Sequence, residues 1–232
     1  MKSKPKQKVK SIAKILDLIA KDYGFSQMDW DRNRRQKWER VKSDPFKSLI
    51  GTILSARNRD ESTSQAAEAL FSRYDNAEKL AAAPVKSIER LIRKSGFYKT
   101  KARYIKATSK MIVDKFGGKV PESMDELCSF PGVGKKVAGC VMVYSFGKPE
   151  IPVDTHVARV SRRIGITKEK NPDKIRLDLM KKSQKKHWIV VNELFVSFGK
   201  RTCKPIGPLH EQCPVRQYCD FYKNLRGKSK RR

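Results

Sequence analysis

The chain has few acidic residues and no long apolar run. Among 232 residues, 24 are Asp or Glu, whereas 53 are Lys or Arg. The longest apolar runs, such as residues 189–191, are far shorter than the roughly 20 residues that cross a bilayer. The first ten residues, MKSKPKQKVK, lack the apolar segment of a secretory signal. We therefore expect a soluble cytoplasmic protein that associates with the nucleoid and not with a membrane.

The shortage of acids leaves a formal net charge of +29 and a pI near 10.1. Residues 1–10 hold five lysines and residues 223–232 hold six Lys or Arg, with no acid in either segment. Subtracting these eleven charges from +29 leaves +18 on the body of the chain. Such an excess favours nucleic acid as the partner, with strongly salt-dependent binding. A basic surface without a specific partner is the alternative that charge alone leaves open.

Cysteine is scarce, with five residues in all. An odd number in a chain without an export signal argues against a disulfide framework. Cys203, Cys213 and Cys219 fall within seventeen residues near the C-terminal end, which suggests a metal site. Cys128 and Cys140 lie on helical apolar stripes and are predicted to be buried core thiols.

No segment shows convincing alternation of apolar and polar residues, and no hairpin turn separates two apolar runs. Apolar residues recur instead at the i, i+3, i+4 and i+7 spacing of a helix, as they do from Ile12 to Ile19. Asp44 and Pro45 form an N-cap followed by proline at the first helical position. The sequence therefore predicts an all-α protein of about ten helices, with disordered basic segments at both ends.

A glycine-rich turn, Pro131-Gly132-Val133-Gly134, separates helices predicted over about residues 123–129 and 135–146. Backbone N–H groups at such a turn can approach a phosphate closely, aided by the positive end of the helix dipole. A Cβ at Gly132 or Gly134 would hold the phosphate away. Turns of this composition are common, but the flanking helices and the basic body favour a helix-hairpin-helix that binds a nucleic-acid backbone.

Lys135 and Lys136 begin the second of these helices. The field of the helix N-terminus and partial desolvation would lower the pKa of Lys136 and make its amine a nucleophile. The alternative is an ordinary surface lysine. In the segment PVDTH, Asp154 or Thr155 is predicted to be the N-cap of the next helix. Asp154 is alternatively a carboxylate that meets Lys136 beside a bound phosphate. An amine and a carboxylate in that position suit attack at a sugar carbon.

The segments FPGVGKKVA and VDTHVARV, together with the earlier DPFKSLIGTILSA and GFYKTKA, resemble the endonuclease III family. That family consists of helix-hairpin-helix DNA glycosylases with AP lyase activity, and the resemblance covers about residues 44–222. It implies a monomeric base-excision-repair enzyme that acts on double-stranded DNA. The implied substrate is an oxidised pyrimidine such as thymine glycol. A glycosylase for thymine or uracil opposite guanine, or a non-catalytic DNA-binding protein, are the alternatives.

The resemblance also implies a two-lobed all-α fold, the helix-hairpin-helix DNA glycosylase fold with a C-terminal metal-cluster loop. A six-helix lobe over residues 44–150 would carry the hairpin. The second lobe would join N-terminal helices within residues 1–43, after their disordered start, to residues 151–222 with the metal loop. Residues 223–232 would form a basic tail.

By this resemblance, Lys136 attacks C1′ of the damaged nucleotide and expels the base. The Schiff base that forms then permits β-elimination, which nicks the strand. Asp154 would activate the amine and stabilise the positive charge that develops on the sugar. His156 is expected to pack and hydrogen-bond and not to act as an acid or base.

The target nucleotide must leave the duplex to be reached, and the resemblance implies two wedge residues that fill the gap, Arg57 and Phe97. The family commonly has Gln at the first of these positions. Arg57 is therefore a departure that would alter which opposite base is tolerated. An ordinary surface charge is the alternative for Arg57, and a core residue is the alternative for Phe97.

The spacing Cys203-x6-His210-x2-Cys213-x5-Cys219 keeps the register of the four-cysteine [4Fe–4S] motif of the family, with histidine as the second ligand. Three interpretations are open: a cluster with one imidazole ligand, a tetrahedral zinc site, or a site without metal in which His210 packs on the thiols. We favour the cluster, because a residue that is not a ligand would have no reason to keep the spacing. Lys204 and Arg216 are expected to contact phosphates.

Overall fold

The computed structural model describes residues 11–24 and 44–229, and the regular elements in these ranges are all helical. The predicted all-α class is confirmed. None of the described helices is long and apolar enough to cross a bilayer. The bounds are α1 Ile12–Asp22, α2 Pro45–Ser55, α3 Asp60–Phe71, α4 Ala77–Ala82, α5 Val85–Leu91, α6 Tyr98–Phe116, α7 Met124–Cys128, α8 Lys135–Tyr144, α9 Thr155–Ile164, α10 Pro172–Lys182, α11 Lys185–Arg201 and α12 Asp220–Ser229, with a 3₁₀ turn at Arg216–Tyr218.

Three expectations fall outside the described residues. They are the disorder of residues 1–10, any helix within residues 25–43, and the last three residues of the basic tail, 230–232.

The chain divides into two compact units, Trp38–Pro152 and Val153–Arg232 with Met1–Lys37. The described part of the first, residues 44–152, contains the seven helices α2–α8, one more than the six expected. The additional helix is α4, whose six residues are too few to show a periodic apolar stripe. The core of this unit is built mainly from aliphatic side chains, among them Leu49, Ile50, Leu54, Leu70, Leu80, Ile88, Ile105 and Ile112.

Helix starts in this unit follow the sequence signals. The carboxylate of Asp44 accepts hydrogen bonds from the N–H groups of Phe46 at 2.8 Å and Lys47 at 3.1 Å. Asp44 is thus the N-cap of α2, as predicted, and Pro45 occupies the first helical position. The amide oxygen of Asn76 caps α4 in the same way, accepting from Lys79 N at 2.8 Å.

In the second unit, α9 and α11 pack closely together. A Cβ built on Gly199 of α11 would lie 2.8 Å from Nδ1 of His156 and 3.0 Å from the guanidinium of Arg159. A larger residue at position 199 would force these two side chains to shift. The aromatic rings of Phe195 and Phe198, also on α11, are fully buried and fill the core of the unit.

The basic C-terminal segment differs from the prediction of disorder, because residues 220–229 form α12. Asp220 lies in the first turn, where a carboxylate complements the helix dipole. The guanidinium of Arg163 lies 4.5 Å from the ring centroid of Phe221. The guanidinium of Arg216 lies 5.6 Å from the ring centroid of Tyr222. These cation–π contacts hold α12 against the unit and explain why charge alone predicted its structure wrongly.

Candidate functional site

The glycine-rich turn joins α7 to α8 and packs against α6. Val133 N donates to the carbonyl of Phe130 at 3.1 Å, and the hydroxyl of Thr108 donates to the carbonyl of Pro131 at 3.4 Å. The buried ring of Phe130 meets that of Phe116 edge to face, with centroids 5.6 Å apart. The turn therefore has a fixed position relative to α6.

The two glycines of this turn serve different purposes. Gly132 has φ +78°, and a Cβ there would lie 3.1 Å from two ring carbons of Tyr104 and closer still to a third. The turn conformation and this contact require glycine, a reason that the sequence did not reveal. A Cβ on Gly134 would meet no atom within 4 Å. The space at Gly134 is therefore open, as an approaching phosphate would need.

Lys135 and Lys136 are the first two residues of α8. Lys135 is exposed, whereas Lys136 is half-buried, beside the buried Val137. Gly134 is the N-cap residue of α8 and provides no side-chain hydrogen bond to the helix start. The first N–H groups of a helix have no partner within the helix, so α8 presents a partial positive charge at this turn.

Asp154 is the N-cap residue of α9, which confirms the structural part of its prediction. Its Oδ1 accepts hydrogen bonds from the N–H groups of His156 at 2.9 Å and Val157 at 2.8 Å. Within the part of the chain that the structure describes, Oδ2 accepts no hydrogen bond. Lys136 belongs to the first unit and Asp154 to the second, so their meeting stays a prediction.

His156 packs and hydrogen-bonds, as expected. Its Nδ1 lies 3.0 Å from Nη2 of Arg159, in the tight contact of α9 with Gly199. The imidazole is therefore part of the packing between these two helices.

The predicted wedge residues, Arg57 and Phe97, have an unusual backbone in common. Their φ angles are +52° and +58°, and no other non-glycine residue among those described has a positive φ. This conformation costs roughly 1–2 kcal/mol for a residue with a Cβ. Arg57 is exposed, and Phe97 is 65% exposed, so the alternative of Phe97 as a core residue is wrong.

The predicted metal ligands Cys203, His210, Cys213 and Cys219 line one small pocket in the second unit, about 20 Å³ in volume. Its other walls are mainly apolar, from residues that include Ile164, Phe198, Leu209 and Val215. No three or more His, Cys, Asp or Glu side chains of the described residues are already arranged around a single metal position. The four donor side chains therefore share a pocket, but they do not converge on a single metal position.

Burial raises the pKa of the Cys213 thiol to about 11, and the nearby Cys219 and Cys203 add to the shift. Burial likewise raises the pKa of Cys219, with Cys203 as a further contributor. Two buried thiols whose ionisation is disfavoured in this way are donors that a cation would stabilise, with release of protons. The residues thus fit a metal or an iron–sulfur cluster by their chemistry and by their common pocket.

Two arginines of α9, which the sequence analysis did not single out, hold the metal loop. Arg159 donates to the carbonyls of Cys203 at 3.0 Å and Gly199 at 2.9 Å. Arg163 donates to the carbonyls of Lys204 at 2.6 Å and Pro205 at 2.8 Å. Its Nη1 also lies 3.6 Å from Sγ of Cys203. The i, i+4 spacing of the two arginines places them on one face of the helix and was the sequence feature that could have indicated a shared role. Such a pair is more often part of a solvated helix face.

The other predicted residues of this loop have distinct surroundings. The His210 ring lies 5.0 Å from that of Tyr222 and 6.0 Å from that of Phe221, measured between centroids. Arg216 forms an ion pair with Glu211, whereas the Lys204 side chain is exposed. A phosphate contact by Arg216 would compete with Glu211, and one by Lys204 would not.

Comparison with known proteins gives the same family at the level of sequence and of fold. Residues 50–185 match the model of the HhH-GPD superfamily of base excision DNA repair proteins. Endonuclease III of Thermotoga maritima is 43% identical over 187 residues, which are 81% of this chain and 87% of that protein. Endonuclease III of Bacillus subtilis is 38% identical over 182 residues, 78% of this chain and 83% of that protein.

A solved structure of a trapped covalent endonuclease III–DNA intermediate is similar to this chain with a TM-score of 0.81 and 32% identity. The similarity covers 93% of this chain and 97% of that one.

We expect Gly132→Ala to lower the melting temperature by about 2–8 °C, because the left-handed backbone costs about 1–2 kcal/mol and the new methyl group overlaps Tyr104. Gly134→Ala is the matched control. It should lower the melting temperature less than Gly132→Ala does, because its Cβ meets open space and only the N-cap preference for glycine over alanine is lost. Differential scanning calorimetry of both variants measures the difference, and equal melting temperatures would contradict the two separate roles.

Proposed function

The chain belongs to the endonuclease III family within the HhH-GPD superfamily of base excision DNA repair proteins, and we propose that Lys136 and Asp154 carry its DNA glycosylase and AP lyase chemistry. The observation that supports this most is the position of Lys136. This half-buried lysine lies two residues after Gly134, where the space beside the turn is open for a phosphate. We propose double-stranded chromosomal DNA as the partner and an oxidised pyrimidine, such as thymine glycol, as the excised base.

In the proposed reaction, the neutral amine of Lys136 attacks C1′ of the extruded nucleotide. The bond from C1′ to the base breaks, and the base leaves with the bonding electrons and takes up a proton. Opening of the sugar ring gives a Schiff base between the lysine nitrogen and C1′. Loss of a proton from C2′ then expels the 3′ phosphate by β-elimination, and hydrolysis releases the lysine.

Asp154 is proposed to stabilise the positive charge on the sugar and to accept the proton of the attacking amine. Its two hydrogen bonds to the start of α9 fix Oδ1, so the carboxylate cannot turn freely. Oδ2 is the oxygen proposed to face the sugar. The same residue thus serves as an N-cap and as the catalytic carboxylate.

The DNA-binding surface is proposed to combine the hairpin with the wedge residues and the metal loop. Gly132, Gly134 and Lys135 would bind the backbone at the hairpin. Arg57 and Phe97 would fill the gap left by the extruded nucleotide. Lys204 and Arg216 would contact phosphates from the metal loop.

We propose that Cys203, His210, Cys213 and Cys219 hold a [4Fe–4S] cluster, the cofactor that this family generally carries. The shared pocket and the neighbouring charge of Arg163 support this assignment. A bound cluster would supply a redox centre and cross-link the loop to the end of α11. Arg159 and Arg163 orient the loop by hydrogen bonds to its backbone carbonyls.

Borohydride reduction should trap a covalent adduct between the enzyme and a duplex that contains thymine glycol, and Lys136→Ala should abolish it. The reason is that only a Schiff base is reduced to a stable bond. Denaturing gel electrophoresis measures the adduct. Absence of an adduct from the wild type, with thymine glycol or an abasic site, would contradict the mechanism. Release of thymine or uracil opposite guanine without strand nicking would favour the mismatch-specific alternative.

Two control variants accompany this experiment. Lys135→Ala should weaken binding yet still give the adduct at saturating enzyme, because the nucleophile is intact. Asp154→Asn keeps an N-cap of equal quality while removing the charge, so its stability should be unchanged. Its rate of base excision should fall about 100-fold or more.

Purified protein should contain four irons per chain and absorb at about 400 nm. His210→Cys should retain the iron and lower the reduction potential of the cluster, because an imidazole ligand raises that potential relative to a thiolate. Iron quantitation and voltammetry measure these quantities. One equivalent of zinc without the absorption band would establish the tetrahedral zinc site instead, and absence of both metals would show that His210 only packs.

A further inference from the structure

Lys101, in the first turns of α6, is a buried lysine that the proposed chemistry does not use. Its residue is only 5% exposed, and its Nζ donates to the carbonyl of Leu54 at 2.7 Å and to the hydroxyl of Ser95 at 2.8 Å. In the described part of the chain, no carboxylate forms an ion pair with it. Burial lowers its pKa. A lysine buried in this way is costly, so its hydrogen bonds call for an explanation.

The two acceptors of Lys101 lie at the bases of the loops that carry the wedge residues. Leu54 is in the last turn of α2, three residues before Arg57. Ser95 is 2% exposed and lies two residues before Phe97. The single ammonium group therefore joins the chain just before one wedge residue to the chain just before the other.

The two loops are also in contact beyond this lysine. The side-chain amide of Asn58 donates to the hydroxyl of Ser95 at 3.3 Å. The amide oxygen of Asn58 accepts from Gly96 N at 3.5 Å. A Cβ built on Gly96 would lie 3.5 Å from the carbonyl oxygen of Arg57, which is ordinary van der Waals contact. Lys101, Ser95 and Asn58 thus form one polar network between the loops.

This network lies next to Arg57 and Phe97, whose backbones have the left-handed conformation. A non-glycine residue keeps a positive φ only where its surroundings hold it there. Arg57 and Phe97 are exposed, so their own side chains cannot provide that restraint by burial. The side-chain hydrogen bonds at the loop bases provide such a restraint, together with the backbone hydrogen bonds from Lys101 N to the carbonyl of Phe97 and from Asn58 N to the carbonyl of Ser55.

We propose that Lys101 is a positioning residue that fixes Arg57 and Phe97 as one rigid pair for insertion into DNA. This inference rests on the proposed function, in which these two side chains fill the gap left by the extruded nucleotide. Lys101 itself does not touch DNA or the reacting atoms. Its loss would leave both wedge residues present but free to move apart. This freedom would reduce the preference for a damaged duplex over an undamaged one.

The test compares Lys101→Met with Lys106→Met. Methionine keeps an unbranched apolar side chain and removes the three donors. Lys106 is a matched control, because it lies on the same helix and its Nζ also donates to a carbonyl, that of Ala83 at 2.7 Å. Ala83 lies between α4 and α5 and belongs to neither wedge loop.

Fluorescence anisotropy gives the dissociation constants for an undamaged duplex and for one with a central tetrahydrofuran abasic analogue. The ratio of the two constants is the discrimination for damage. Lys101→Met should reduce this ratio roughly 10–100-fold, since displacement of a positioned group by about 1 Å has effects of that size. Binding to the undamaged duplex should change little, and Lys106→Met should keep the wild-type ratio.

The Phe97→Ala background separates positioning from a general loss of packing. If Lys101 acts through the wedge residues, the protein with Lys101→Met and Phe97→Ala should discriminate no worse than the protein with both Arg57→Ala and Phe97→Ala. The reason is that substitutions acting through the same residues do not have additive effects. Ser95→Ala removes one acceptor of the network and should reduce discrimination in the same direction. It serves as the second variant should Lys101→Met fail to fold.

Wild-type discrimination in Lys101→Met or Ser95→Ala would overturn the inference, as would fully additive losses with the wedge variants. If Arg57→Ala and Phe97→Ala themselves discriminate normally, the wedge assignment fails first, and the role of Lys101 fails with it. The single wedge variants therefore distinguish failure of the proposed function from failure of this inference.

Discussion

The contacts of α6 with the hairpin turn and with the two wedge loops are the constraint on which the unit over residues 44–152 depends. Lys101 near the start of this helix bonds the loop bases, Tyr104 and Thr108 contact the turn, and Phe116 packs on Phe130. A helix of 19 residues is stiff over this length. The spacing between the proposed phosphate-binding turn and the wedge residues is therefore set by one element.

Helix α9 has a comparable position in the second unit. Asp154 caps its N-terminal end, and Arg159 and Arg163, one turn apart, hold the backbone of the metal loop. The glycine at position 199 allows α11 to approach α9 closely enough for these hydrogen bonds. The proposed catalytic carboxylate and the loop that carries the proposed cluster ligands are thus held by the same helix.

Much of this arrangement was predictable, because it depends on local signals. The caps Asp44 and Asp154, the hairpin turn and most helices follow from residue type and apolar spacing. The role of Lys101 was not predictable, because its acceptors Leu54 and Ser95 come together only in the folded chain. Helix α12 was missed for a related reason: the cation–π contact of Arg163 with Phe221 joins residues far apart in sequence.

The proposed chemistry requires that the amine of Lys136 forms the bond to the sugar. Its most direct test is mass spectrometry of the borohydride-reduced complex after digestion of both protein and DNA. We expect a sugar remnant on Nζ of Lys136. A remnant on a different lysine or on the N-terminal amine of the chain would contradict it.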